Sequence, residues 1–416
     1  MRVLHLSWEY PPLVYGGLGR HVHALAEAQA ARGDAVTVIT QLSPGESSDA
    51  FINGVRVIRV PHDPPALPFD EEHLLAWVMA LESAMIRAGL VLEDEPDVVH
   101  AHDWIVAHAA VALRTHFPSA ALVSTMHATE AGRHQGWLPG PLSEAIHSVE
   151  HWLVHESDRI IVCSQHMYAE VEKLFAEGAL EPRHVHVIAN GIDLDRWRAS
   201  RSAVAAVRDR FGAAGPLLVF VGRLEWEKGA HTLIDALPRL RRRLPGLRVV
   251  IAGRGGASED LQRLARERRV ANIIEFTGWL PEHELHALIA AADALVIPSI
   301  YEPFGLVALE GAALGAPLVV ARTGGLAEFV EDGVTGRVFV PGDVADLARA
   351  ATEAINDADA SAAMARTARD RLESSYRWEL LAGQTRDTYE EARAHHGRTT
   401  APPVWIPPRG VNLLRA

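Results

Sequence analysis

Cysteine is nearly missing from this chain: Cys163 is the only one in 416 residues. No internal disulfide is possible, and the composition suits a reducing compartment. Cys163 ends the apolar run 159–163, where an inert core thiol is expected. Lysine is almost as scarce. Of 40 basic residues only Lys173 and Lys228 are lysines. In an arginine-rich background, a retained lysine suggests a need for a compact point charge. No run of eighteen apolar residues occurs, so no membrane span is expected, and peripheral association is left open. Residues 1–8 lack a long apolar stretch and a small-residue cleavage site. They read as a first strand, and a cytoplasmic location is expected. Excess positive charge is also lacking. A net charge of -13 argues against nonspecific binding of nucleic acid. The 22 histidines are scattered without a convincing zinc spacing. The glycines after the first strand do not spell G-x-G-x-x-G, which weakens a nicotinamide-binding reading.

What is present is a rhythm of short apolar strands and amphipathic helices. Strands are expected at 2–7, 35–40, 55–60, 98–101, 122–125, 160–163 and 184–188. A second set is expected at 217–221, 248–252, 274–276, 294–297, 317–321 and 336–339. Helices are expected at about 20–31, 71–88, 234–244, 285–291, 306–314, 344–355, 360–372 and 378–394. Alternation of this kind predicts parallel sheets in an α/β protein. Residues 194–216 are polar, rich in Arg and Ala, and read as an inter-domain linker. The expected domains are 1–197 and 198–376, a helix at 377–395 that returns to the first domain, and a Pro-rich tail at 396–416.

Ligands of open α/β sheets sit beyond the carboxyl ends of strands. Several notable residues fall there. The loop Trp8–Gly19 is rich in Pro and Gly. His102 and Asp103 end one strand and His127 follows another. Arg223 and Lys228 share the loop after residue 221. The stretch Pro298-Ser299-Ile300-Tyr301-Glu302-Pro303-Phe304-Gly305-Leu306 leaves a buried strand and enters a helix at Gly305. Backbone N–H groups at such a helix start attract anions. A carboxylate beside bound phosphate would be repelled, so Glu302 and Glu310 make sense as grips on hydroxyls. Arg223 and Lys228 can offset diphosphate charge without a metal. The two D-x-D patterns, Asp193-Leu194-Asp195 and Asp357-Ala358-Asp359, are too unspecific to carry a metal site. For each histidine alone, a satisfied structural role is the plainer reading.

The pair Glu302-x7-Glu310 within Tyr301-Glu302-Pro303-Phe304-Gly305-Leu306 resembles the motif of retaining glycosyltransferases of family 4. Gly16-Gly17-Leu18-Gly19, His102-Asp103-Trp104, His127, Asn190-Gly191-Ile192-Asp193, Arg223 with Lys228, and Gly324-Gly325 follow the family's order. The resemblance spans about residues 1–394. It implies a GT-B fold, two Rossmann-like parallel-sheet domains facing across a cleft. Trp8-Glu9-Tyr10-Pro11-Pro12 and Ala128-Thr129-Glu130-Ala131-Gly132-Arg133-His134 are similar to glycogen-synthase-like α-1,4-glucosyltransferases. The nearest are actinobacterial enzymes that build α-1,4-glucan for glycogen or methylglucose lipopolysaccharide.

The resemblance implies roles. Arg223 and Lys228 bind the donor diphosphate with backbone N–H groups of Gly17, Gly305 and Leu306. Glu310 holds the ribose, Glu302 contacts the transferred glucose, His127 bonds the sugar, and Asp103 lies near acceptor or glucose. Trp279 or Leu280 meets the nucleobase. The implied partners are ADP- or UDP-glucose and a maltooligosaccharide or glucan acceptor, with neither metal nor other cofactor. One departure matters: Val14-Tyr15 precede Gly16 where ADP-glucose enzymes carry a lysine. The rivals are transfer of another hexose such as mannose, a GT-B epimerase, a phosphorylase, and a non-catalytic glucan-binding protein.

Overall fold

The computed structural model describes residues 1–175, 184–211, 215–396, 412 and 414. Its strands are β1 Arg2–Leu6, β2 Ala35–Gln41, β3 Asp49–Ile52, β4 Val55–Val60, β5 Val98–His102, β6 Ala121–Met126, β7 Arg159–Val162, β8 Val185–Val187, β9 Leu217–Val221, β10 Arg248–Ala252, β11 Ile274–Gly278, β12 Ala294–Ile297, β13 Leu318–Ala321 and β14 Arg337–Phe339. Its α-helices are α1 Gly17–Ala31, α2 Leu74–Gly89, α3 Ala107–His116, α4 Glu130–Arg133, α5 Pro141–Glu156, α6 Gln165–Phe175, α7 Arg201–Phe211, α8 Ala230–Arg243, α9 Ser258–Glu267, α10 Glu282–Ala291, α11 Leu306–Ala313, α12 Leu326–Phe329, α13 Val344–Asn356, α14 Ala358–Ser375 and α15 Trp378–His395. No described helix is long and apolar enough to cross a membrane.

The chain divides into two compact units. One holds Met1–Gly191 and the described residues from Trp378 onward, the other Ile192–Arg377. The first unit carries an eight-stranded sheet in the order β3-β4-β2-β1-β5-β6-β7-β8. All its pairings are parallel except β3 against β4. The second carries a six-stranded parallel sheet, β11-β10-β9-β12-β13-β14. Strands such as β6, β7, β12 and β13 are buried along their whole length. Continuous burial is why they read as unbroken apolar runs: helices cover both faces of a parallel sheet.

Helix α15 belongs to the first unit, where Trp378, Leu381 and Tyr389 pack with Val3, Val98, Ala121 and Ile161. In the second unit Leu233, Leu237 and Leu240 of α8 pack with Leu218 and Phe220 of β9 and Val249 and Ile251 of β10. Three details differ from the sequence reading. Helix α7 occupies residues read as linker and lies in the second unit. Its only buried residue is Phe211, so its apolar stripe is weak. Arg208 anchors it through two bonds to Asp293, 2.6 and 2.8 Å, and Asp293 also accepts the Leu217 N–H. The break between units accordingly falls at Gly191/Ile192 and not after residue 197. Edge strand β3 is short and mostly exposed, so burial leaves no pattern in it. The Pro-rich tail, apart from His396, Asn412 and Leu414, lies outside the described residues.

Candidate active site

Each sheet has a switch point where successive connections run to opposite sides. In the first it lies between β1 and β5, in the second between β9 and β12. The loops leaving those four strands carry most of the residues singled out above. Topology therefore collects them at two crevices, one in each unit.

In the second unit, three loops are stitched together. The Glu227 carbonyl accepts the Ile300 N–H at 2.7 Å, joining the loop after β9 to that after β12. Gly229 has φ +70°, and a Cβ there would meet the Pro298 carbonyl at 1.8 Å, so glycine permits the contact. Gly325 N–H donates to the Glu302 carbonyl at 3.1 Å, and Thr323 Oγ1 to the Ile300 carbonyl at 3.0 Å. These bonds hold Lys228 and Glu302 together: Nζ donates to Oε2 at 2.9 Å, and Ser299 Oγ donates to the same oxygen at 3.0 Å. Arg223 Nη2 donates to Glu227 Oε1 at 3.0 Å. Each expected phosphate cation thus faces a carboxylate. The Lys228 pair is largely sheltered, and the Arg223 guanidinium is about half exposed (44%). Gly305 caps α11 at φ +102°, and a Cβ would meet Leu326 at 2.5 Å. The Ala308 N–H turns back to the Gly305 carbonyl at 2.9 Å, and the Leu306 and Val307 N–H groups have no acceptor within the helix. Glu310 is buried one turn further on.

A cavity of about 450 Å³ lies in the same unit, lined among others by Leu224, Arg254, Gln262, Phe276, Thr277 and Gly278. Thr277 and Gly278 immediately precede Trp279 and Leu280, where the nucleobase contact was expected. Leu280, half-buried, and Trp279, exposed, are not in the lining. Both D-x-D patterns serve the backbone. Asp193 accepts the N–H groups of Asp195 and Arg196, and Asp357 caps α14 through the Ala360 N–H.

In the first unit, Glu9 organises the glycine-rich loop by accepting the Tyr15 and Gly16 N–H groups at 2.8 and 2.9 Å. Gly19 is needed for packing, since a Cβ would meet Glu9 at 2.9 Å. A Cβ at Gly16 would meet nothing within 4 Å, so packing does not account for that glycine. Gly17 begins α1, where its N–H has no acceptor within the helix. Beside the loop, Trp8 stacks on Tyr15 at 5.2 Å, and Phe69 lies 5.7 Å from Trp8 and 4.7 Å from Trp77. Tyr15 and Phe69 are each about half exposed, 48% and 49%.

Asp103 follows β5 with φ +61° and ψ 179°, a conformation that costs roughly 1–3 kcal/mol outside glycine. Its Oδ1 accepts the His127 N–H at 2.7 Å. Burial pushes its carboxyl up to about 7, against the opposing pull of the His127 and Ala128 N–H groups and Arg133. The His127 ring sits above a histidine cluster. His102 Nδ1 is 3.2 Å from His127 Nε2, and His102 Nε2 is 3.0 Å from His5 Nδ1. Burial drives the His127 pKa down to about 3 and that of His5 to about 4. Sequence reasoning missed His5, His21, His100, Gln29 and Tyr389. A signal existed: His100 and His102 share one face of β5, and His5 pairs with His100 in the β1–β5 register. The histidines that lacked a metal spacing along the chain come together in space. One ring nitrogen from each of His5, His100 and His102, and one from each of His21, His102 and His127, lie within 4.8 Å of one another.

Two parallel-sheet units, each with loop residues gathered at a switch point and one pairing a lysine with a glutamate at a helix start, define a glycosyltransferase of GT-B fold. Residues 15–196 match the family described as "Glycosyltransferase Family 4" and residues 209–371 "Glycosyl transferases group 1". The glycogen synthase of Mycobacterium tuberculosis is 49% identical over 94% of this chain and 95% of its own. Among solved structures, sucrose-phosphate synthase from Thermosynechococcus elongatus superposes with a TM-score of 0.81 at 24% identity, covering 94% of this chain and 99% of its own. The catalytic domain of starch synthase IV from Arabidopsis thaliana, bound to ADP and acarbose, gives 0.75 at 20% identity, covering 94% and 99%. The chain belongs to glycosyltransferase family 4 and is a hexosyltransferase.

Proposed function

We propose that this enzyme transfers glucose from ADP- or UDP-glucose to the non-reducing end of an α-1,4-glucan, with retention at the anomeric carbon. The observation that carries the reading is the Lys228–Glu302 pair beside the start of α11. The 49% identity to a glycogen synthase over nearly the whole chain supports glucose and glucan as the substrates. Lys228, Arg223 and the N–H groups of Gly305 and Leu306 receive the donor diphosphate, and the Gly17 N–H is assigned to the donor as well. Glu310 takes the ribose, and the cavity at Thr277 and Gly278 takes the base. Glu302 faces the glucose, and His127 and Asp103 serve the sugar and acceptor. The Trp8–Tyr15–Phe69 rings give a glucan an apolar shelf against which sugar faces pack, beside the loop where a lysine is missing.

The acceptor hydroxyl oxygen bonds to the anomeric carbon as the bond from that carbon to the diphosphate oxygen breaks. The hydroxyl proton passes to the leaving diphosphate. Negative charge grows on the diphosphate, where fixed cations and helix N–H groups stabilise it most. The reading includes no metal or other cofactor and a cytoplasmic setting. The test is a matrix of ADP-, UDP- and GDP-sugars against maltooligosaccharides, scored by product mass and linkage. Glucose extension through α-1,4 bonds is expected. Transfer only from GDP-mannose, or sugar-nucleotide conversion without acceptor, overturns it.

A further inference from the structure

The histidines beneath His127 form one continuous chain of hydrogen bonds, and that chain has a direction. Gln29 lies fully buried on α1. Its Oε1 is 2.7 Å from His5 Nε2, and its Nε2 donates to the Tyr389 hydroxyl at 3.0 Å. An amide oxygen only accepts, so His5 Nε2 carries the proton. A neutral imidazole has one N–H and one lone pair. His5 Nδ1 must therefore accept, and His102 Nε2 must donate across 3.0 Å. His102 Nδ1 then accepts, and His127 Nε2 donates across 3.2 Å. What is left on the His127 ring is the Nδ1 lone pair. The other branch agrees. Tyr389 accepts from Gln29 and gives its proton to His100 Nδ1 at 2.6 Å, and His100 Nε2 donates to Thr125 Oγ1 at 2.7 Å. His5, His100 and His102 are fully buried and His127 is half-buried; desolvation lowers the pKa of all four, which holds each neutral and keeps the direction from being scrambled by a second proton.

We propose that Gln29, through His5 and His102, is a positioning residue that locks His127 as a hydrogen-bond acceptor at Nδ1. His127 can then receive a proton donor, a sugar hydroxyl, and is a poor partner for an anionic phosphate oxygen. The chain selects for hydroxyl recognition without any charge entering the sheet. This rests on the assignment of His127 to sugar binding given above, but its direct readout does not need substrate.

The test is ¹⁵N-histidine labelling of the full-length protein, with two-bond ¹H–¹⁵N correlation and assignment by single His→Gln changes. His5, His102 and His127 are expected as single Nε2–H tautomers between pH 6 and 8. Gln29→Leu should leave His127 as a tautomer mixture and lower kcat about three- to tenfold, the worth of one hydrogen bond. Gln29→Glu, held as the neutral acid by full burial, keeps both an acceptor oxygen and a donor and should restore both. A donor lacking the sugar hydroxyl that His127 receives should lose less in Gln29→Leu than in wild type. Nδ1–H tautomers at His5, His102 and His127 would mean the amide is reversed and overturn the proposal. So would a mixture in wild type, a charged ring, or stoichiometric metal on these nitrogens. If the tautomers hold but the substrate matrix fails, the wire stands and the assigned reaction falls. If the matrix succeeds but the tautomers differ, only the wire falls.

Discussion

The two switch-point crevices use opposite electrostatics. In the first unit a neutral network lies below the strand ends: His5, His100, His102, His127, Gln29 and Tyr389 are joined by hydrogen bonds of fixed direction. In the second, opposite charges are set side by side, Lys228 with Glu302 and Arg223 with Glu227. Buried neutral bonds carry direction and suit neutral hydroxyls. Paired charges can be re-partnered, and in the proposed reaction a diphosphate arriving at Lys228 would find a cation already held in place by Glu302. Pre-organisation of that kind matters most when charge develops at the leaving group.

The comparison breaks most decisively at Lys228. Lys228→Ala should lower kcat roughly 10²–10³-fold, the size seen when one stabilising donor is removed. Single-turnover kinetics with saturating donor checks it. Glu302→Gln should come next and split the constants. Lys228 loses its counter-charge, so donor KM stays level or falls, while kcat drops on the order of a hundredfold. A rise in donor KM with unchanged kcat would deny Glu302 a role at the transferred sugar. Arg223→Ala removes a half-exposed cation, and about a tenfold rise in donor KM is expected, falling with added salt. Tyr15→Ala should act only on acceptor KM, by a few-fold, with donor KM unchanged.

Asp103 sharpens the comparison through pH. Its folded pKa, about 7, lies above the ordinary 3.8, so between those values the folded state holds a proton that the unfolded state loses. Its contribution to stability therefore falls as pH rises from about 4 to 7 and is constant beyond. Asp103→Asn should accordingly stabilise the protein at pH 8, by on the order of 1–3 kcal/mol, with no gain near pH 3.5. Thermal melts across that range read it. Activity should fall in the same variant, because a carboxyl held buried in a strained backbone conformation is retained against stability.

The second crevice was the more legible one. A Pro-bounded loop entering a helix at Gly305, two glutamates and a rare lysine are local patterns, and Lys228, Glu302 and Ser299 do meet. Leu280, expected at the nucleobase, is not among the residues lining the cavity, whereas its near neighbours Thr277 and Gly278 are. Helix α7 passed for a linker because an Arg–Asp pair holds it where an apolar face would otherwise be legible. The first crevice was half visible. Asp103 and His127 stand at strand ends, but Gln29 and Tyr389 look like ordinary helix residues, 360 positions apart.

The amino-acid order alone determined the alternation of strands and helices, the two sets, and the loops that bear charge, because periodicity and turn chemistry act over a few residues. Tertiary structure alone decided that each expected cation waits in an ion pair, that Asp103 is strained and buried, and that four histidines join Gln29 and Tyr389. Those depend on which strands become neighbours and on how much water they exclude. Both are properties of the assembled sheet and are written at no single position.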